Sequence, residues 1–95
     1  MLKGLFAALW RLVVRPLFVV DLRDGAARLR RGEAPPGLVD GFSDVARDLG
    51  VSSGTIYGVR AAHGLTLEFS SQIPAHAHQR FRNVLAVHRH RIRGA

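Results

Sequence analysis

The five histidines of this 95-residue chain are the first residues to suggest chemistry. Two pairs, His76/His78 and His88/His90, have the His-x-His spacing that chelates a metal on a strand, where alternate residues share a face. Both pairs fall in or beside stretches that read as helix, where residues two apart point about 200° from one another. The spacing therefore gives no metal site, and the absence of cysteine removes the thiolate sites as well. Asp40, Asp44 and Asp48 recur along a solvated helix face, and Ser52, Ser53, Ser70 and Ser71 occupy turn and cap positions. No glycine-rich phosphate loop, zinc spacing or nucleophile elbow is present. These residues predict no catalytic activity, no metal and no cofactor. One polar cluster stands apart. Gln79, Arg80, Arg82 and Asn83 gather on the last helix and form the candidate binding surface. The competing role for them is local, with Asn83 tying the helix to a strand edge and the arginines only solvating it.

Charge separates the chain into three zones. Residues 1–31 carry Lys3, Arg11, Arg15, Arg23, Arg28, Arg30 and Arg31 against Asp21 and Asp24. The middle is acidic, and the end holds Arg80, Arg82, Arg89, Arg91 and Arg93 with no acid. Basic ends at a net charge of +7 call for an anionic partner, lipid headgroup or nucleic acid.

The N-terminal segment favours lipid. At about 100° per residue, Lys3, Arg11 and Arg15 fall in one arc, while Leu2, Leu5, Phe6, Leu9, Trp10 and Val13 fill the opposite side. Pro16 ends that helix. A secretory signal is disfavoured, because arginines interrupt the apolar run and no small-residue cleavage site follows. A spanning helix would hold Arg11 near mid-bilayer at roughly 2.5–3.5 kcal/mol. An in-plane helix fits the two-faced wheel better, with Trp10 at headgroup depth and the arginines toward anionic lipid. Packing on the chain's own domain, or on another protein, is the competing use of the same face. If the helix does span, the basic cluster behind it places the domain on the cytoplasmic side.

The remaining elements follow from periodicity. Leu17–Leu22 and Ala26–Arg31 read as strands about Asp24-Gly25, a type I′ turn dipeptide. After the breaker-rich loop 32–37, Leu38, Phe42, Val45 and Leu49 mark one helix face, with Gly50 placed to cap it. The pattern then repeats. Thr55–Arg60 and Leu65–Ser70 alternate about His63-Gly64, and Pro74 opens a helix whose stripe holds Ala77, Phe81, Val84 and His88. That stripe predicts Phe81 and Val84 buried against Leu67 and Phe69, with Arg80 and Arg82 exposed. Two ββα units must each bury a sheet face and a helix stripe. A four-stranded antiparallel sheet with both helices on one face does this.

Phe42–Ala61 also reads as a helix-turn-helix. Ala46 would sit at the helix contact, Gly50 at the turn, Ser53 at the second cap, and Ile56 and Val59 toward the core. Gly58 opposes it at about 0.8–1.0 kcal/mol in a helix interior, as does the β-branched and aromatic run around it.

Gly54, Val59, Leu67-Glu68-Phe69-Ser70, Ile73-Pro74, Gln79-Arg80 and Arg82-Asn83-Val84 occur in an order and spacing that resembles the bacterial family catalogued as domain of unknown function 3634. Its members are short proteins with an apolar N-terminal helix and one small domain. The resemblance covers most of the chain from Leu17 on. It implies a strand rather than a recognition helix over Gly54–Arg60, and it implies no activity. Arg11 and the basic tail after His88 depart from the family pattern.

The sequence therefore predicts an α+β protein, an N-terminal helix followed by a ββαββα domain. Residues 1–16 would be a membrane anchor, 17–88 the domain and 89–95 a basic tail. The expected function is membrane-associated binding or scaffolding on the cytoplasmic side. Anionic lipid and an unidentified protein are the expected partners, with no small-molecule substrate. A soluble helix-turn-helix protein that binds nucleic acid is the alternative.

Overall fold

Local pairing signals produce two hairpins. The computed structural model describes residues 16–62 and 64–92. The anchor helix expected over 1–16 lies outside them apart from Pro16, as do His63 and Arg93. Strand β1 (Phe18–Arg23) turns into β2 (Ala26–Gly32) through Asp24 at φ 54° and Gly25 at φ 75°. Positive φ at both central residues is what a type I′ turn requires, and Asp and Gly adopt it at least cost. The second hairpin joins β3 (Ser53–Ala61) to β4 (Gly64–Phe69), with Ala61 opposite Gly64.

The hairpins lie side by side through antiparallel pairing of β1 with β3, in which Val20 faces Ile56 and Phe18 faces Gly58. The sheet order is β2-β1-β3-β4, antiparallel throughout. Helices α1 (Pro36–Leu49) and α2 (Ala75–His88) follow the two hairpins. Each has a proline at its N-cap, Pro35 and Pro74. Gly50, at φ 69°, ends α1, and its N–H reaches back to the carbonyls of Ala46 and Arg47. The chain is thus an α+β protein built on a four-stranded antiparallel sheet and two helices.

Alternation decides which face the helices cover. Phe18, Val20 and Leu22 of β1, Ile56 of β3 and Leu65 and Leu67 of β4 form one cluster with Leu38, Phe42 and Val45 of α1 and with Ala77, Phe81 and Leu85 of α2. Phe42 and Phe81 meet edge to face, centroids 5.7 Å apart at 74°, directly above the sheet. Phe81 is fully buried as the stripe predicts, while Val84 and Phe69 are half-buried at its margin. Arg89–Arg91 make a 3-10 turn, and Ile92 beyond it joins the core.

The helix-turn-helix reading of Phe42–Ala61 fails at its second helix, because Ser53–Ala61 is a strand. Gly58 has a different use. The Phe18 ring lies over it, and a Cβ there would meet ring carbons at 2.3 Å.

Small residues also set the distance between the helices. A Cβ on Gly37 would come 2.8 Å from the His88 ring, and one on Gly41 would come 2.6 Å from Cγ1 of Val84. Among the described residues no helix is long and apolar enough to cross a membrane.

Two changes test this packing. Phe81→Ala removes a fully buried ring and should lower stability by about 3–5 kcal/mol in a urea melt. Gly41→Ala should destabilise even though alanine favours helix by about 0.8–1.0 kcal/mol, because Val84 occupies the space. Adding Val84→Ala should relieve that clash. The double mutant should then be more stable than the two single effects summed, by about 1 kcal/mol.

Candidate functional site

The four residues of the candidate surface, Gln79, Arg80, Arg82 and Asn83, are all exposed on α2. Each has a local engagement. The Gln79 side-chain amide donates to Oδ1 of Asn83 at 2.9 Å, one helical turn on. Asn83 is therefore held along its own helix, and not against a strand edge. Arg80 reaches across to α1, where Nη2 meets Oδ2 of Asp48 at 2.8 Å. Both partners are largely exposed, so the pair is worth at most about 1 kcal/mol. Arg82 lies with its guanidinium carbon 5.4 Å from the centre of the Phe69 ring.

Phe69 is the hub of this corner. Its ring stacks on His78, with centroids 4.0 Å apart and planes 12° from parallel, and it leans on Phe81 at 5.9 Å. The His78 Nε2 lies 3.2 Å from the Ile73 carbonyl, to which its N–H donates. Ile73 in turn lies over Gly54, where a Cβ would come 2.4 Å from Ile73 Cγ1. Beside it, Ser70 Oγ accepts the Thr55 N–H at 2.9 Å and donates to Gln72 at 3.1 Å. The family-like residues Gly54, Phe69, Ser70, Ile73 and Arg82 thus converge on one joint, where β4 passes into α2. Spacing along the chain foretold the helix face but not this convergence, because Gly54 comes from the neighbouring strand.

His76 and His90 are exposed, and His88 packs its ring on Gly37. Among the described residues no group of three or more His, Asp or Glu side chains could hold a metal, and no buried side-chain polar atom lacks a partner.

Two further polar features escaped the sequence reading. A cleft of about 850 Å³ near the β1–β2 turn is lined by Asp21, Arg23, Arg28, Arg30, Thr55 and Gln72, among others. Asp21 is already engaged there, by Arg30 Nε at 3.2 Å and the Thr55 hydroxyl at 3.1 Å. At the opposite end of the sheet, Leu17, Gly32 to Pro35, Arg91 and Ile92 line a groove. The groove brings Arg91, with Glu33, beside the point where the chain enters β1. Arg31, opposite Val19 in the pairing, adds to the same end. Only a fold that returns Ile92 to Leu17 creates this grouping, so no local signal carried it.

The geometry defines a small α+β domain with Arg91 brought beside Leu17 and an arginine-bearing helix face. The chain belongs to the family described as "Protein of unknown function (DUF3634)", whose model matches residues 1–93. No curated protein and no solved structure matches it.

The joint can be separated from the surface by mutation. Ser70→Ala leaves the half-buried Thr55 N–H without its acceptor and should cost about 1–3 kcal/mol in a thermal or urea melt. Arg80→Ala and Gln79→Ala should each fall within about 1 kcal/mol of wild type, as exposed contacts do.

Proposed function

We propose that this protein is a non-catalytic binding or scaffolding module held at an anionic membrane surface, with its domain on the cytoplasmic side. Residues 2–15 provide the attachment, through Leu2, Leu5, Phe6, Leu9, Trp10 and Val13, with Lys3, Arg11 and Arg15 toward headgroups. The observation that carries this reading is the grouping of Arg31 and Arg91 around Leu17, where the attachment segment joins the domain. Arg31 and Arg91 would then add to Lys3, Arg11 and Arg15 at the same anionic surface. Each arginine near an anionic bilayer adds about 1 kcal/mol, fading within a Debye length. Gln79, Arg80, Arg82 and Asn83 lie on α2, away from the Leu17 groove, and are the surface offered to a protein partner.

Vesicle sedimentation of the full chain tests the reading. Binding should be strong to phosphatidylserine-containing vesicles, weak to neutral phosphatidylcholine vesicles, and lost in Leu5→Asp/Leu9→Asp. Arg31→Glu/Arg91→Glu should weaken it by about 2–4 kcal/mol, counting one unit for each charge lost and one for each reversed. Binding that ignores both pairs of changes would remove the membrane from the proposal. If the same protein instead bound duplex DNA with a steep salt dependence, nucleic acid would take its place.

A further inference from the structure

We infer that the apolar face of residues 2–15 docks on the outer face of the sheet, over Val19 and Val59, when the protein is off a membrane. The inference does not rest on membrane attachment. Where both hold, sheet and bilayer compete for one apolar face.

Val59 is 1% exposed and Val19 4%, as deeply buried as the core itself. Yet neither belongs to the core cluster beneath the helices. Alternation gives the reason. Phe18 and Val20 point toward the helices, so Val19 between them points away, and Ile56 and Gly58 fix Val59 in the same sense. Half-buried Tyr57 lies opposite Val19 and shares that outer face, and Thr66 lies opposite Val59. Neither described helix lies on this side. Strand neighbours flank a valine but do not roof it, so burial this complete calls for a covering element.

The occupant follows from the position of Leu17, the residue that leads from the apolar N-terminal segment into the sheet. Residues 1–15 end at Pro16, and the N–H of Leu17 donates to the Gly58 carbonyl at 2.7 Å. Pro16 alone separates the segment from Leu17, which is bonded to the neighbour of Val59 in β3. A helix over 2–15 is about 21 Å long, enough to lie across four strands spaced about 4.8 Å apart. Leu5, Leu9, Trp10 and Val13 would meet the sheet, leaving Lys3, Arg11 and Arg15 in solvent.

Trp10 is the one tryptophan in the chain and reports the docking directly. In vesicle-free buffer, acrylamide should quench Trp10 of the full chain several-fold less than in the urea-unfolded protein. Nuclear Overhauser contacts should join its indole protons to the Val19 and Val59 methyls. Val19→Ser/Val59→Ser should restore quenching. It should also tighten phosphatidylserine-vesicle binding about tenfold if the undocked form is about one-tenth populated in wild type. Indole contacts to those methyls decide the matter even if the serine variant fails to fold. Trp10 quenched in the folded wild type as readily as in urea overturns the inference. So does shielding that vanishes on dilution, which would assign the face to a second copy. Shielding without vesicle binding would keep the docked segment and remove the membrane reading.

Discussion

Everything on the helical side of the sheet depends on how closely α1 and α2 approach one another. Four strands spaced about 4.8 Å apart present a face that one helix cannot cover, while two helices at the usual separation of about 8–10 Å can. Gly37 and Gly41 supply the clearance. Each lies one turn from the other on α1, and each receives a side chain from α2, His88 and Val84. With the helices held at that distance, Phe42 and Phe81 reach each other over the middle of the sheet. Arg80 can then span to Asp48 at the far end of the seam. The same contact leaves α2 ending over Gly37, from which the 3-10 turn carries Ile92 into the core.

Much of this was legible in the residues, and what was not has a common cause. Strict alternation at Leu65–Phe69, the Asp24-Gly25 turn and the Gly50 cap are local signals, and each element formed where they put it. Phe42–Ala61 was the ambiguous stretch, since Ile56 and Val59 at i and i+3 satisfy a helix as well as a strand. The resolution came from outside the window: Phe18 needs Gly58 beneath its ring. Strand order and the pairing irregularity between Val19 and Val20 likewise depend on which strands meet across the sheet. No periodicity within a single segment records them.

The candidate site divides along similar lines. Helical spacing was enough to gather Gln79, Arg80, Arg82 and Asn83 on one exposed face. It could not show that Arg82 leans on Phe69 or that Ile73 covers Gly54, because those partners arrive from β4 and β3. The family-like pattern therefore mixes two demands. Gly54, Phe69, Ser70 and Ile73 maintain the passage from sheet to helix, while the helix face beyond them holds polar groups whose contacts are short-range and readily exchanged. A partner that displaced Asp48 from Arg80 would give up little, since both are solvated already.

An open four-stranded sheet has two rims, and unsatisfied rims recruit further strands from other molecules. This protein guards both with the same side chain. Along β2 the exposed Arg28, Arg30 and Arg31 surround a bend where the pairing slips, so an incoming strand meets positive charge and a broken register. Along β4 the guanidinium of Arg89 donates to the Leu65 carbonyl at 3.0 Å, occupying an acceptor that a foreign backbone would need. Arginine content that looks, by composition, like an appetite for anions thus also places charge and an occupied acceptor along the two edges where a foreign strand would pair.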